Sequence, residues 1–265
     1  MAASCGLCCA LLGVACCFCL VLSTCPPGQF GDSCSYSCHC EGGAVCNSTT
    51  GECPGACALQ WRDGRNGTCQ RENVALHKTA TSTSGTLDGY NLTPDKAVDG
   101  NRTQVMESGS CFHSAANSPS MWRVDLGRQY RVHHVTVYHR NVLLHRIANC
   151  SIHLSNDTSS NGTLCYTFPA TVNNSVIDLV CDGRGRYLTI RNPGRAADHD
   201  DTLNICEVEI YLCSHGTYGN FCNNFCNCLN ISCDPVNGMC PGDCRPGWQG
   251  QRCDTGEEVL LSGAV

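Results

Sequence analysis

The sequence has few charged residues, few aromatic residues and little long apolar sequence. Charged residues make up 15% and aromatic residues 6% of the 265 residues, and the formal net charge is −6. No basic patch is large enough to match a phosphate backbone, so nucleic acid is not expected as a partner. Downstream of residues 5–22, no run approaches the ~20 apolar residues that a membrane-spanning helix needs, so we expect a soluble mature chain.

Motifs for catalysis are also missing. The sequence contains no HExxH zinc motif, no GxSxG nucleophile elbow, no phosphate loop and no dinucleotide fingerprint. His133, His134 and His139 follow one predicted strand with alternating exposure, and the His-Asp-Asp segment at 199–201 is predicted to be a solvated loop. An enzyme is therefore not expected.

Cysteine, by contrast, is abundant, with 27 residues in the chain. Disulfides persist only in oxidising compartments. Residues 5–22 form a nearly unbroken apolar and small run that is typical of a signal peptide, so residues 1–24 are predicted to be removed and the protein to be secreted or extracellular. Because no Lys or Arg precedes this run, and because it contains Cys, a retained membrane anchor or an acylated terminus is the less favoured alternative.

Sequons for N-glycosylation support export and predict a glycoprotein. They lie at Asn47, Asn66, Asn91, Asn101, Asn149, Asn156, Asn161, Asn173 and Asn230.

An internal repeat of cysteines sets the domain plan. Eight Cys lie from Cys25 to Cys69 and eight from Cys213 to Cys253, and both groups open with the same spacing. The predicted units are 25–70, 71–212 and 213–254, with a tail at 255–265. Modules this small need cross-links to replace a large core.

The pairing of these cysteines stays open, because eight cysteines allow many arrangements. The ending CRPGWQGQRC resembles an EGF-like module, and the eight-Cys spacing is similar to laminin or scavenger-receptor variants of it. Zinc at Cys38 and Cys40, or at Cys226 and Cys228, is a weaker alternative in an oxidising compartment.

The central region alternates short β-rich runs with turn residues. The runs are WRVDL (122–126), RVHHVTVYH (131–139), CSIHLS (150–155), SVIDLV (175–180), RYLTI (186–190) and ICEVEIYL (205–212). Period-two alternation over many short runs indicates an antiparallel sandwich or barrel. Cys150 shares a strand face with Ile152 and Leu154, which predicts a buried thiol.

Five segments of this region carry a resemblance to a known family. They are NVALHKTATSTS, KAVDGNRT, CFHS, MWRVDLGRQYRVHHVTVYHR and CEVEIYLC, in this order within residues 73–213. Together they resemble the F-type lectin (fucolectin) domain. The resemblance implies an all-β fold, a jelly-roll β-sandwich of F-type lectin or discoidin-like type. The two flanking Cys-rich segments are separately expected to be small disulfide-rich EGF-like modules.

The resemblance also implies a calcium site, with calcium as the cofactor. Its ligands would come from Lys96, Asp99, Asn101, Ser110, Cys206 and Glu207, with Lys96 and Cys206 acting through their carbonyls. A glycan on Asn101 would crowd this loop, so that sequon is expected to be unoccupied. The implied disulfides are Cys111 with Cys206 and Cys165 with Cys181.

The implied sugar site consists of His113, Arg140 and Arg146. Arg supplies a fork of donors and His a ring nitrogen for sugar hydroxyls. This sequence departs from the family pattern in three ways. Val142 stands near the place of an acidic residue, Arg146 comes one residue early, and an adjacent cysteine pair is absent, with Leu143 and Leu144 as its apolar replacement.

The sequence is compatible with two functions. The first is a secreted or cell-surface, calcium-dependent protein that binds fucosylated or related glycans, including cell-surface or microbial glycoconjugates. The alternative is an extracellular adhesion or scavenger-type protein-interaction protein whose lectin site is degenerate and whose loops bind proteins or membranes. A homo-oligomer would add avidity to weak sites and is left open.

Overall fold

A computed structural model describes residues 25–64, 66–87, 90–115, 120–159, 161–194, 202–230 and 232–256. Three predicted features fall outside these residues in whole or in large part: the signal peptide at 1–24, the His-Asp-Asp segment at 199–201, and the tail at 255–265, of which only 255 and 256 are described.

The described residues form strands, turns and short 3-10 helices, which confirms the all-β prediction. The strands are β1 Gln29–Phe30, β2 Tyr36–Ser37, β3 Trp61–Arg62, β4 Arg71–Asn73, β5 Thr79–Ser82, β6 Phe112–His113, β7 Met121–Tyr138, β8 Ser151–Ser155, β9 Thr163–Thr167, β10 Val176–Arg191, β11 Asn204–Ile205, β12 Glu207–Cys213, β13 Thr217–Tyr218, β14 Asn224–Phe225, β15 Trp248–Gln249 and β16 Thr255–Gly256. The 3-10 helices are Asp32–Cys34, Glu41–Gly43, Pro94–Val98, Met106–Ser108 and Leu144–Ile147. Across the described ranges, no helix has the length and apolar character required to cross a membrane.

The central sheet has eight strands in the order β3-β4-β12-β7-β10-β8-β9, and β5 pairs with β7 beside this path. Residues 121–125 of β7 pair with β5 and with residues 187–191 of β10. Residues 134–138 of β7 pair with β12 and with residues 176–180 of β10. Each long strand therefore belongs to both layers of the sandwich.

Glycines lie where the two long strands change layer. Gly127 has a φ of 86°, and the register between β7 and β10 shifts on either side of Gly183 and Gly185. A residue without a Cβ tolerates both the left-handed backbone and a bulge. The sheet folds over itself at these points.

One apolar core fills the space between the layers. Its fully buried members include Trp122, Phe112, Val135, Val137, Ile152, Leu188, Ile190, Val208 and Ile210. Trp122 donates its indole N–H to the carbonyl of Pro94 at 2.8 Å, so this large side chain is buried without an unpaired donor. Cys150 is a buried member of the same core, and its thiol donates to the carbonyl of Arg146 at 3.7 Å.

Both Cys-rich segments are cross-linked in the same pattern. The pairs are Cys25–Cys34, Cys38–Cys46, Cys40–Cys53 and Cys57–Cys69 in the first segment, and Cys213–Cys222, Cys226–Cys233, Cys228–Cys240 and Cys244–Cys253 in the second. In each, the first cysteine pairs with the second, the third with the fifth, the fourth with the sixth and the seventh with the eighth. The zinc alternative is therefore wrong, because its four candidate ligands are all in disulfides.

The two Cys-rich segments pack against each other. The rings of Tyr36 and Phe225 lie 4.8 Å apart, and Phe30 meets Phe225 edge-on at 5.8 Å. The Tyr36 hydroxyl donates to Asn227 Oδ1 at 2.9 Å. This aromatic contact joins the two ends of the described chain.

The register of β12 fixes where these segments lie relative to the loops. Cys213 at its end is opposite Arg71 of β4, while Glu207 at its start is opposite Tyr138 of β7. The Cys-rich segments thus join one end of β12, and the loops after Tyr138 lie at the other.

Candidate functional site

The residues expected to contact sugar lie near the end of β7. His113 of β6 is paired with Asn204 of β11, and Arg146 belongs to the 3-10 helix Leu144–Ile147. Nη1 of Arg146 donates to Oδ1 of Asn204 and lies 3.4 Å from Nε2 of His113. Asn204 therefore brings His113 and Arg146 together.

The backbone sets the proton position on His113. Its Nδ1 lies 2.8 Å from the carbonyl oxygen of Ser114. A carbonyl only accepts, so Nδ1 carries the proton. In the neutral ring, Nε2 is then the acceptor that faces Arg146.

His139 also belongs to this cluster. It is fully buried, and its Nδ1 donates to the carbonyl of Asn204 at 2.8 Å. Burial lowers the pKa of His139, although its hydrogen bonds to backbone carbonyls oppose this. The prediction that exposure alternates along His133, His134 and His139 is wrong. His134 and His139 lie five positions apart, so alternation would bury only one of them, but both are buried, at 6% and 0% exposure. Neutral His139 therefore holds the backbone of Asn204 in place through the hydrogen bond to its carbonyl.

Arg140 has a carboxylate partner that the sequence pattern did not indicate. Its Nη2 donates to Oε1 of Glu107 at 2.9 Å, and its Nη1 lies 3.5 Å from Sδ of Met106. Glu107 comes from the 3-10 helix Met106–Ser108 and is 66% exposed. Arg140 thus has a carboxylate partner although no acidic residue stands near Val142, but an ion pair with so exposed a carboxylate holds the guanidinium only weakly.

Two buried donors at this end of the sandwich have no acceptor among the described residues. They are Nε of Arg140 and Nδ2 of Asn204. Native structures leave few such groups, and each calls for an explanation such as a bound water or ligand. The polar groups of this cluster are therefore not all satisfied by the protein itself.

Apolar side chains stand beside Arg140. Val105, Val142 and Leu143 are exposed at 43%, 49% and 41%, and Leu144 is half-buried. The N–H of Asn141 donates to the carbonyl of Gln104 at 3.2 Å and holds the two loops side by side. The result is an exposed apolar rim next to a guanidinium group.

A groove of about 590 Å³ begins at Met106, the residue after Val105. Its lining residues are Leu87, Tyr90, Asn91, Leu92, Lys96 and residues 106–109. Tyr90 is 66% exposed, so its ring is free to stack on a ligand. Glu107 and Met106 belong both to the groove and to the surroundings of Arg140.

The residues expected to hold calcium meet at the start of β12. The N–H of Gly100 lies 3.2 Å from both carboxylate oxygens of Glu207. The disulfide Cys111–Cys206 joins the residue directly before β12 to the segment that carries Ser110. The loop after Val98, the Ser110 segment and the start of β12 are therefore held together.

The loop itself is ordered by its own side chains. Asp99 Oδ1 accepts the N–H of Asn101 at 2.9 Å, and Asn101 Oδ1 accepts the N–H of Thr103 at 3.0 Å. Ser110 Oγ donates to the carbonyl of Thr103 at 2.6 Å. Lys96 lies in the 3-10 helix Pro94–Val98, which leads into the loop. The second implied disulfide, Cys165–Cys181, is also present and links β9 to β10.

The carboxylate of Glu207 lacks a cationic partner among the described residues. It is fully buried, and burial, with the charge of Glu209 added, raises its pKa to about 8. A buried carboxylate is costly unless a cation or several hydrogen bonds compensate it. Hard oxygen donors around such a carboxylate fit Ca²⁺.

Glu209, two residues further on, is in the opposite situation. Arg62 and Arg102 both donate to its carboxylate, at 2.9 Å and 2.7 Å, and the Tyr211 hydroxyl donates at 2.5 Å. Burial pushes the pKa of Glu209 upward, but Tyr211 and the two guanidinium groups outweigh it and hold the pKa below its usual value.

Comparison with known proteins identifies the family of the central region. A family model described as a NedA-like, galactose-binding domain matches residues 96–190. The fucolectin of Anguilla anguilla is 31% identical over 149 residues, which cover 53% of this chain and 90% of that protein. This chain belongs to the fucolectin family. Fucolectin-1 of Anguilla japonica is 32% identical over 148 residues, covering 53% of this chain and 80% of that protein.

A solved fucolectin from the serum of Morone saxatilis is also similar. It is 30% identical, with a TM-score of 0.47, and the match covers 53% of this chain and 47% of that one. As in the eel fucolectins, about half of this chain takes part in the match.

Two residues of the candidate site, Asn204 and Glu107, were not named from the sequence, and a third, His139, was predicted only as a strand residue. Asn204 carries no motif, although it lies two residues before Cys206. Glu107 is far in sequence from Arg140, and its only local signal is an exposed acidic residue in a short turn. Each is recognisable only from the way the loops pack.

Proposed function

We propose that this chain is a secreted or cell-surface, calcium-dependent lectin that recognises fucosylated or related glycans. The observation that carries the proposal is the cluster of His113, Arg146 and Asn204, which stands at one end of a fucolectin-family sandwich together with Arg140. Two donors of this cluster lack acceptors, which supports a polar ligand.

The chemistry of a deoxy sugar fits these groups. Nη donors of Arg146 and Arg140 are suited to sugar hydroxyl oxygens, and Nε2 of His113 is suited to accept a hydroxyl proton. Fucose also carries a methyl group in place of a hydroxymethyl group. The rim of Val105, Val142 and Leu143 offers an apolar surface for such a group, and the groove along Tyr90 has room for a further sugar.

Calcium is proposed as the bound ion, held by Asp99, Asn101, Ser110 and Glu207, with carbonyls of Lys96 and Cys206. When bound, calcium supplies the positive charge that the buried Glu207 lacks. The chain's own contribution is to hold the loop against β12 through Gly100 and the Cys111–Cys206 disulfide. That places the neighbouring strands β6 and β11, and with them His113 and Asn204.

The setting proposed for this lectin is extracellular, with both Cys-rich segments as EGF-like modules and with N-glycans on the chain. All nine sequon asparagines are exposed, and ten disulfides among the described residues are suited to an oxidising compartment. Cell-surface or microbial glycoconjugates are the proposed targets, and a homo-oligomer would raise their avidity.

Titration calorimetry with L-fucose and a fucosylated glycan array test this function. Binding is expected with calcium and is expected to fall on adding a chelator. Arg146→Ala should abolish it, while Arg252→Ala, an exposed arginine of the second Cys-rich segment, should leave it unchanged. Binding that persists in Arg146→Ala would contradict the proposed site.

A second candidate is a protein-interaction or membrane-binding role with a degenerate sugar site. The exposed Val105, Val142 and Leu143 favour it, since apolar loop tips also bind proteins and membranes. This candidate would be favoured over the lectin if the protein bound no glycan on the array but bound vesicles or proteins, and if Val142→Asp lost that binding.

A further inference from the structure

One side of the sandwich has two open strand edges. β9 is the last strand of the eight-stranded sheet. Residues 176–180 of β10 pair with β7 on one side and with no described strand on the other. The disulfide between Cys165 of β9 and Cys181 of β10 brings these two edges together.

Apolar side chains are exposed along both edges. Leu164 of β9 is 55% exposed, and Val176 and Val180 of β10 are 43% and 46% exposed. Open apolar edges pair with other chains, and native proteins protect them with charges, proline or a cover. β9 has neither a charged residue nor a proline in its sequence TLCYT. The open part of β10 carries one charge, Asp178, whose side chain is 48% exposed, whereas β9 has no charge of its own to protect its edge.

Four sequons surround these edges. Asn149 precedes β8, Asn156 follows it, Asn161 precedes β9 and Asn173 precedes β10, and all four are exposed. Ser151 at the start of β8 is opposite Thr167 at the end of β9. The four asparagines therefore lie at both ends of β9 and at the start of the open part of β10.

We propose that N-linked glycans on Asn149, Asn156, Asn161 and Asn173 cover this side of the sandwich and prevent edge-to-edge association. The inference rests on the proposed export of the chain. In each transfer, the asparagine Nδ2 forms a bond to the anomeric carbon of a lipid pyrophosphate-linked oligosaccharide. The bond from that carbon to the pyrophosphate oxygen breaks, the lipid pyrophosphate leaves, and the amide loses one proton to a base.

Bulky, hydrated glycans at these four positions do what charges do at other sheet edges. They keep partner strands away from Leu164, Val176 and Val180 without any change within the strands. Any oligomer of the glycosylated protein then has to use another face of the molecule.

Peptide mapping of protein secreted by a eukaryotic host gives the first test. Peptides carrying the four asparagines are expected to be recovered in glycosylated form. Modified sites elsewhere with unmodified peptides across 149–173 would overturn the inference and leave the export proposal standing. A secreted protein without glycan at any sequon would likewise overturn the inference, whereas retention of the chain inside the host would contradict the export proposal.

Sedimentation velocity gives the second test. A variant with Asn149, Asn156, Asn161 and Asn173 changed to Gln is expected to shift from its starting mass to larger species as concentration rises. The matched control changes Asn47, Asn66, Asn91 and Asn230 to Gln and should sediment like the unaltered protein. Equal behaviour of the two variants would overturn the inference.

Two further samples keep the test decisive. Leu164→Lys in the variant without edge glycans should restore the smaller species, because it puts a charge on the open strand. If the Gln variant is not secreted, endoglycosidase trimming of folded, high-mannose protein removes most of each glycan instead. Trimming that leaves the sedimentation profile unchanged would count against a protective cover.

Discussion

Glu207 and Glu209 project from the same face of β12, but among the described residues the arginine side chains pair with Glu209 and not with Glu207. Both carboxylates are fully buried. Arg62 and Arg102 compensate Glu209, whereas Glu207 accepts a backbone N–H from Gly100 and has no arginine or lysine partner among the described residues. Within three residues of β12, Glu209 therefore belongs to a structural charge cluster, and Glu207 belongs to the candidate ion site.

The first prediction concerns Glu207→Gln. The substitution removes the carboxylate and keeps the shape, so calcium should no longer raise the melting temperature. Saturating calcium at about 100 times its dissociation constant would stabilise the unaltered protein by ~2.7 kcal/mol. Thermal melts with calcium and with chelator measure the difference.

Glu72→Gln is the matched control, since Glu72 lies on β4 away from the loop of Asp99. It should keep the full calcium response. A calcium response that survives in Glu207→Gln would remove Glu207 from the proposed ligand set.

The second prediction concerns the link from Arg62, in the first Cys-rich segment, to Glu209. Arg62→Met leaves the buried carboxylate with one guanidinium partner fewer and should cost about 1–3 kcal/mol of unfolding free energy. In a double-mutant cycle with Glu209→Gln, the coupling should be about 0.5–3 kcal/mol. Denaturant unfolding under oxidising conditions measures it.

Arg252→Met provides the comparison for this cycle. Arg252 is 54% exposed and lies 3.9 Å from Asp254, and such surface pairs contribute little. A loss in Arg62→Met no larger than that in Arg252→Met would show that the contact of Arg62 with the sheet is not stabilising.

The third prediction concerns Asn204→Ala. Arg146 loses a charged hydrogen bond worth about 1.5–3 kcal/mol, so glycan affinity should fall by roughly 10- to 100-fold. Calorimetry on the ligand found by the array measures this change. Asn223→Ala, at an exposed position of the second Cys-rich segment, should bind like the unaltered protein, and unchanged affinity in Asn204→Ala would show that Asn204 does not position Arg146.

The fourth prediction concerns the acid sensitivity of the first Cys-rich segment. His39 stacks on Trp61 with ring centroids 3.3 Å apart, and burial lowers its pKa from 6.5 to about 4. The unfolded chain takes up this proton at higher pH than the folded chain. The stability that neutral His39 provides is therefore present above pH 6.5 and is lost as pH falls towards 4.

A histidine proton titration by NMR checks this, with His39→Gln used to assign the resonance. The unaltered protein should also lose stability relative to His39→Gln over this pH range. A resonance that titrates at the ordinary histidine pKa would refute the effect of burial.

Local patterns in the sequence were enough for the all-β fold, and they also supplied the candidate site residues that are proposed here. Period-two alternation reports which strand face is buried, and this is a property of neighbouring residues. The segments around Lys96, His113 and Cys206 carried the family resemblance, because the backbone of a tight loop tolerates few residue types. The repeated cysteine spacing showed two related modules, but the spacing alone did not choose their pairing.

Packing between distant segments decided the rest. Each cysteine pairs with the one that the fold brings within reach, and spacing alone does not show which that is. Glu107 reaches Arg140, Asn204 reaches Arg146, and Arg62 crosses 147 positions to Glu209. Such contacts depend on how loops and layers come together in space, and the energies that select them belong to the assembled core rather than to any short run of residues.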